Sequence, residues 1–280
     1  MDRLFSSFPV GSILGIQVRV HTLLVLLLVF VGFSRSDEPA WLILLGILVV
    51  VLLLHELGHC LVARRFGIEV VDITLWPLGG MARMKTVPED SRVEGFLAAA
   101  GPAVNAALTL IGIPILFVTM ITARDGSMWK DVAWGFVAIN ATMCVFNLLP
   151  IFPSDGGRIL RALLALRTDW VSATKQAVIV SRVCALALGV AGVVLFQDWM
   201  LALVSLWLWW MGSIELAQVR ARHAHERSRA DAQSFTPPTV DPVRVDLGAE
   251  ARPAPRRFTD EDIERLEKFR GRLRPDEPGP

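Results

Sequence analysis

Two histidines and a glutamate, His55, Glu56 and His59, lie within five residues of one another in the apolar segment from about Trp41 to Phe66. On a helix, positions i and i+4 share one face, so the two imidazoles can bind one metal ion together. Glu56 projects about 100° around the helix from His55, close enough to activate a water molecule on that metal. The spacing predicts a zinc hydrolase centre. The alternative, polar contacts between helices, suits a lone histidine better than a pair with its own carboxylate.

The surrounding segment has the length and composition of a membrane span. The chain has 280 residues, 53% of them hydrophobic, and a mean hydropathy of +0.50, which is too apolar for an ordinary soluble domain. Ionisable side chains are costly in hydrocarbon unless a ligand or partner compensates them. A bound metal ion would meet that need.

Stretches of apolar residues predict a mostly α-helical polytopic membrane protein with about six transmembrane helices. The first predicted span is shorter than the others. The spans run approximately over His21–Phe33, Trp41–Phe66, Phe96–Thr122, Val132–Leu149, Gln176–Phe196 and Trp199–Ala217.

Two segments favour short β-strands at the membrane surface. Val10–Val20, near the N-terminus, alternates between apolar and polar residues. Ile68–Met84, between the second and third spans, carries β-branched residues and then the turn-forming run Leu75–Gly80. We therefore expect surface strands on both sides of the second span.

The basic residues divide the connecting segments into two sets. The segments on one side of the membrane contain only three basic residues, Arg35, Arg124 and Lys130. The segments on the other side contain many more: Arg3, Arg19, Arg64, Arg65, Arg83, Lys85, Arg92, Arg158, Arg161, Arg167, Lys175, Arg182, Arg220, Arg222, Arg227 and Arg229. The positive-inside rule predicts a multi-pass protein of the cell membrane with both termini in the cytoplasm. The histidine pair then lies near the cytoplasmic face, because His59 precedes Arg64 by about 8 Å along the helix.

A catalytic zinc usually takes three protein ligands and leaves a fourth position for water. Asp155 reaches the same side of the membrane, at the inner end of the fourth span, where prolines break the helix and glycines permit a tight turn. Irregular backbone at membrane depth is tolerated only around protein or a water-filled cavity. Context favours Asp155, although a simple turn aspartate would also explain Asp-Gly-Gly. The other candidates for the third ligand are His21, Glu69, Asp72 and Glu215.

Over roughly residues 10–217 the chain resembles the site-2 protease family of intramembrane zinc metalloproteases, in a compact form without PDZ or CBS domains. The paired motifs, at this separation, are highly specific. The matching residues are His55, Glu56 and His59 on one span, then Asn147, Pro150, Pro153, Asp155, Gly156 and Gly157 near the end of a later one, with Gly79–Gly80 and Gly101–Asn105 in support.

The resemblance implies a peptidase that cleaves a transmembrane segment of another membrane protein in regulated intramembrane proteolysis. His55, His59 and Asp155 would bind one Zn²⁺ per chain, and Glu56 would act as general base and then proton donor. The implied partners are the lipid bilayer and a membrane-protein substrate, and no nucleic acid is expected.

Four further residues are candidates for substrate contact. Asn147 would hydrogen-bond the substrate backbone or the developing oxyanion, or else join two helices. For Asn105, packing and substrate contact are equally favoured. Gly79 and Gly80 would offer a strand edge to an extended substrate, or would merely permit a surface turn.

Three domains are expected on this interpretation. Residues 1–219 form the transmembrane metalloprotease domain, and residues 220–257, rich in Arg, Ala, Pro and Asp, form a disordered cytoplasmic linker. Residues 258–280 form a short helix and tail, opened by Thr259–Asp262, which resembles a capping box.

Two other functions compete with proteolysis. A non-catalytic zinc-binding membrane scaffold would not require Glu56, so the presence of that residue disfavours it. A metal transporter usually needs ionisable residues through several spans, whereas the outer halves here are almost free of them.

Overall fold

The computed structural model describes residues 7–34, 39–77, 79–85, 87–195, 197–234, 259, 261 and 263–264. Over these residues the chain forms four strands and seven principal helices. The strands are β1 (Ser7–Ile13), β2 (Ile16–His21), β3 (Val70–Trp76) and β4 (Gly79–Met84). The helices are α1 (Thr22–Ser34), α2 (Pro39–Arg65), α3 (Ser91–Thr122), α4 (Met128–Leu148), α5 (Asp155–Ala165), α6 (Trp170–Val194) and α7 (Trp199–Ser234).

The prediction of a mostly α-helical, polytopic membrane protein is confirmed. Among the described helices, α2, α3, α4, α6 and α7 are long and apolar enough to cross a membrane. The predicted count of about six was approximate, because the first predicted span corresponds to α1, a shorter apolar helix of 13 residues. Such a helix extends only about 20 Å, whereas the hydrocarbon core is about 30 Å thick.

The four strands form one sheet in the order β1–β2–β3–β4. β1 and β2 are an antiparallel hairpin, β2 and β3 run parallel, and β3 and β4 form a second antiparallel hairpin. A buried apolar cluster joins the sheet to α1 and α2 through Ile16, Leu24, Cys60, Ile73 and Leu75. Both predicted strand regions are therefore confirmed, and β4 is an edge strand of the described sheet, packed beside α2.

α3 is the structural centre of the helical part, since it packs against α2, α4 and α5. After α4 ends at Leu148, an irregular segment with a cis Phe152–Pro153 peptide leads into α5. The helix break was predicted, but the amphipathic helix α5 was not. Its first residue is Asp155, so the break and the new helix together position that carboxylate.

α7 continues as a helix to Ser234, beyond residue 220, where the disordered linker is predicted to begin. The chain divides into two units, Met1–Asp231 and Ala232–Pro280. In the second unit, the Ile263 N–H donates to the Thr259 carbonyl at 3.2 Å, as in a first helical turn. Most of the predicted linker and tail lies outside the described residues, and the three-domain division stays a prediction.

Candidate metal centre

α2 and the first residue of α5 bring three potential metal ligands together. His55, His59 and Asp155 are all buried, and their ligand atoms lie within 4.8 Å of one another. Asp155 Oδ2 lies 3.2 Å from His55 Nε2 and 3.3 Å from His59 Nε2, and the two Nε2 atoms are 3.2 Å apart. The predicted pair and the predicted third residue thus converge on one point.

These separations fit a zinc ion. Ligand atoms that lie about 2.0–2.1 Å from a tetrahedral zinc are about 3.3 Å apart. The donor set, two imidazoles and a carboxylate, is that of a catalytic zinc site with a fourth position left open. A cluster of three such buried groups, without a cation, would leave a carboxylate and two imidazole nitrogens facing one another.

The far side of each imidazole is held by α3. His55 Nδ1 lies 2.5 Å from Asn105 Oδ1, and His59 Nδ1 lies 2.7 Å from the Leu97 carbonyl oxygen. Because both partners are acceptors, each Nδ1 carries the hydrogen and donates it. Each Nε2 therefore presents its lone pair to the shared centre, as a metal ligand must.

A second asparagine completes this support. Asn105 Nδ2 donates to Asn140 Oδ1 at 3.2 Å, and Asn140 Nδ2 donates to the Phe136 carbonyl at 2.8 Å. Both asparagines are fully buried.

Asn105 is a predicted substrate contact, but it lies behind His55 and does not line the cavity. Sequence reasoning missed Asn140, although a polar residue two helical turns before Asn147 in an apolar span was a usable signal.

Close packing by two glycines shapes the centre. A Cβ added to Gly101 would overlap the imidazoles of His55 and His59, and a Cβ added to Gly80 would overlap the side chain of Glu56. α3 can therefore approach the two imidazoles, and β4 can approach Glu56, only because Gly101 and Gly80 carry no side chain.

Glu56 lies on the β4 side of the centre. The Ala82 N–H donates to Glu56 Oε2 at 3.2 Å, which fixes the carboxylate against the strand. Gly79 and Gly80 pair with Trp76 and Leu75 at the start of β4, and both line the cavity in front of the metal ligands. Asn147 also lines this cavity, while its amide nitrogen donates to the Met143 carbonyl of its own helix at 2.9 Å.

The cavity has a volume of about 1160 Å³ and extends from the centre along an apolar wall. His55, Glu56, His59 and Asp155 form one end of it. Most of the remaining lining is apolar and includes side chains of α1, α2 and α7, among them Leu24, Val31, Leu45, Leu52 and Trp207. Such a space suits an apolar segment with a polar main chain.

Each of the four other candidates for the third ligand is engaged elsewhere. The His21 ring stacks on Trp76 with centroids 4.0 Å apart, and its Nδ1 accepts from the Leu23 N–H at 3.2 Å. Asp72 pairs with Arg83, whose hydrogen bond holds the pKa of the Asp72 carboxyl below its usual range. The other two pairs are Glu69 with Lys85, at 2.8 Å, and Glu215 with Arg161, at 2.5 Å.

Comparison with known proteins agrees with this geometry. The sequence model of Peptidase family M50 matches residues 42–125 and 114–190. The zinc metalloprotease MJ0392 of Methanocaldococcus jannaschii is 32% identical over 239 residues, which cover 84% of this chain and 68% of the relative. The putative zinc metalloprotease Rip3 of Mycobacterium tuberculosis is 35% identical over 205 residues, covering 68% of this chain and only about half, 52%, of the relative.

A solved structure extends the likeness to the fold. The site-2 protease from Methanocaldococcus jannaschii superposes with a TM-score of 0.52 and 29% sequence identity, covering 75% of this chain and 95% of that one. The residues matched by the family model include His55, Glu56, His59 and Asp155. The chain therefore belongs to peptidase family M50, the site-2 protease family of membrane zinc metalloproteases.

Proposed function

We propose that this protein is an intramembrane zinc metalloprotease that hydrolyses a peptide bond in or near a transmembrane segment of another membrane protein, in regulated intramembrane proteolysis. The observation that carries the proposal is the convergence of His55, His59 and Asp155 beside Glu56, at the end of an apolar cavity. A metal hydrolase site at the end of a mostly apolar cavity suits a hydrophobic substrate.

His55, His59 and Asp155 would hold one zinc ion, which supplies a water of lowered pKa and polarises the scissile carbonyl. The Glu56 Oε2 atom accepts a hydrogen bond from the Ala82 N–H, and the Oε1 atom lies beside Gly80. In this proposal Glu56 would take a proton from the attacking water and return it to the leaving amine. Asn147 would donate to the developing oxyanion after releasing the Met143 carbonyl.

β4 would align the substrate. The Ala82 N–H points away from β3, towards Glu56, and by the alternation of antiparallel strands Gly80 presents its backbone groups on the same side. An unwound substrate segment could pair with this edge through main-chain hydrogen bonds. Such pairing would extend the peptide next to Glu56 whatever its side chains.

The proposed location of the centre is the cytoplasmic side of the membrane, with both termini in the cytoplasm. Arg64 and Arg65 end α2 five and six residues after His59, and in the predicted orientation the basic residues of the other connections, except Arg35, Arg124 and Lys130, would lie on the same side. Lipid bilayer and a membrane-protein substrate are the partners that this placement requires.

Purified protein in lipid nanodiscs, incubated with a fluorescent transmembrane peptide, tests the proposal. Wild type should cut the peptide, and Glu56→Gln should abolish cutting while zinc content is unchanged. Glu69→Gln is the matched control, because Glu69 is an exposed acid paired with Lys85, outside the cavity. Equal cutting by Glu56→Gln and wild type, or zinc flux into vesicles without any peptide cut, would contradict the proposal.

A further inference from the structure

α5 carries a second buried charge, Arg161, six residues after Asp155. Arg161 is only 4% exposed. Its Nε donates to Glu94 Oε2 at 3.0 Å and its Nη2 donates to Glu94 Oε1, so the pair is bidentate. Its Nη1 donates to Glu215 Oε1 at 2.5 Å. One guanidinium therefore connects α5 with α3 and with α7.

Stability alone does not explain this arrangement. A buried ion pair contributes little more than well-packed apolar residues of similar volume, because desolvation offsets the attraction. The Arg161 guanidinium also lies over two aromatic rings, 5.3 Å from the Phe152 centroid and 5.2 Å from the Trp170 centroid, so apolar surroundings are at hand. What the bidentate pair offers beyond an apolar contact is a fixed relative geometry of two helices.

The relative position of α3 and α5 matters for the metal centre because both helices carry groups that form it. Glu94 lies on α3 one turn before Leu97, whose carbonyl holds His59, and the same helix carries Asn105, which holds His55. α3 is thus the common reference for both imidazoles. Among the contacts described, Asp155 has no such bond to α3, and it reaches the centre as the first residue of α5.

The positions of the histidines and of Asp155 are set in different ways. His55 and His59 share one helix, so their separation is set locally. Asp155 instead follows the irregular segment after Leu148, and its position depends on how α5 lies on α3. The two helices pack closely here, since a Cβ at Gly95 would lie 3.5 Å from the Ala162 Cβ. Arg161 precedes Ala162 and Glu94 precedes Gly95, so the ion pair fixes the rotation and height of α5 at this contact.

We propose that Arg161 and Glu94 are positioning residues for the metal centre: their bidentate pair sets α5 on α3 so that Asp155 Oδ2 lies within reach of both imidazoles. This inference rests on the metal site in the proposed function. Neither residue lines the cavity, so neither is a catalytic residue. Their effect should appear in metal affinity and turnover, and substrate affinity should be unchanged.

Two variants and a control test this role. Arg161→Lys keeps the charge but loses the bidentate geometry. The double variant Arg161→Met with Glu94→Leu removes both members of the bidentate pair, and only Glu215, whose side chain is 30% exposed, loses its cation. For each we expect the zinc dissociation constant to rise about tenfold and kcat to fall by a similar factor, with KM unchanged. Glu215→Gln is the control, because Glu215 is the more exposed partner and belongs to α7, which carries no ligand. Its zinc affinity should equal that of wild type.

The measurements are zinc affinity by competition with a chelator, thermal melting of the zinc-free protein, and kcat and KM on the transmembrane peptide. Folded Arg161→Lys and double variants that bind zinc within about twofold of wild type would overturn the inference. If the double variant does not fold, Arg161→Lys decides alone. Wild type that binds zinc but cuts no peptide would contradict the proposed function, while the zinc measurements would still decide this one.

Discussion

The metal centre has two unlike faces. On the α3 face, the Asn105 side chain and the Leu97 carbonyl bond the imidazoles, and the Gly101 backbone packs directly against both rings. On the β4 face, Glu56 has a single backbone bond, from Ala82, and the apolar cavity opens in front of it.

This difference separates two tasks. The α3 face is closed and its buried polar groups are paired, so it can keep the ligands in one geometry. The β4 face leaves volume and main-chain groups, which in the proposed function would accept an extended peptide through its backbone. Changes on the α3 face should therefore alter metal binding, and changes on the β4 face should alter turnover with the metal retained.

The largest effect is expected for Gly101→Ala, which places a methyl group between α3 and the two imidazoles. Displacing ligands by about 1 Å costs about 10²-fold in rate, and here two ligands must move. Peptide cutting should fall by at least about 10²-fold, and zinc content, measured by atomic absorption, should fall with it. Gly46→Ala on α2 is the control, since its added Cβ would meet nothing within 4 Å and Gly46 does not line the cavity. Normal zinc content in Gly101→Ala would refute the closed α3 face.

On the cavity face, Asn147→Ala should lower kcat by about 10²-fold, because an oxyanion donor is removed. Zinc affinity should not change, since Asn147 bonds only its own helix among the contacts described. Steady-state kinetics on the transmembrane peptide, with zinc content determined on the same samples, would check both parts. A fall in zinc content with kcat per bound zinc unchanged would place Asn147 with the α3 face instead.

Asn105→Ala should give the opposite pattern. Removing the acceptor leaves His55 Nδ1–H buried without its partner and frees the ring to turn, so zinc affinity should fall about tenfold. At saturating zinc, KM for the peptide should equal that of wild type. Chelator competition measures the first quantity, and a changed KM with unaltered zinc affinity would mean that Asn105 contacts substrate after all.

The smallest effect concerns the sheet that bears β4. The Arg83 hydrogen bond lowers the Asp72 pKa in the folded protein, so this pair stabilises the fold above the unfolded pKa of about 3.9. Its contribution should be lost as the pH falls below that value and through the lower folded pKa. Melting temperatures across this range should therefore fall less steeply with acid in Asp72→Asn than in wild type.

Glu69→Gln, in which the exposed pair with Lys85 is removed, is the control for that measurement. Identical acid dependence in wild type and Asp72→Asn would show that the Asp72–Arg83 pair does not stabilise the sheet.

Local patterns were sufficient for much of the protein. The spans follow from runs of apolar residues, the hairpins from alternation and turn residues, and the histidine pair from helical periodicity. Asp155 followed from its motif and its side of the membrane. The first predicted span, His21–Phe33, agrees with α1 to within one residue at each end, and its 13 residues make it shorter than the five long apolar helices.

The contacts that support the ligands and Glu56 were harder to predict from the sequence. The Leu97 carbonyl and the Ala82 N–H are backbone groups, which every residue possesses, so no residue type marks them. Asn105 was noticed as a polar residue in a span, but its direction depends on how α3 packs on α2. Arg161 and Glu94 are 67 positions apart, and only their helices' contact makes them a pair.

The sequence by itself determined the chemistry: which side chains can bind a metal, which can move a proton, and that they lie among membrane helices. Only the tertiary structure decided that α3 closes one side of the centre while β4 and the cavity leave the other side open. The physical reason is that residue type and periodicity are local properties, whereas the direction in which a buried group points is set by the neighbouring element on which it packs.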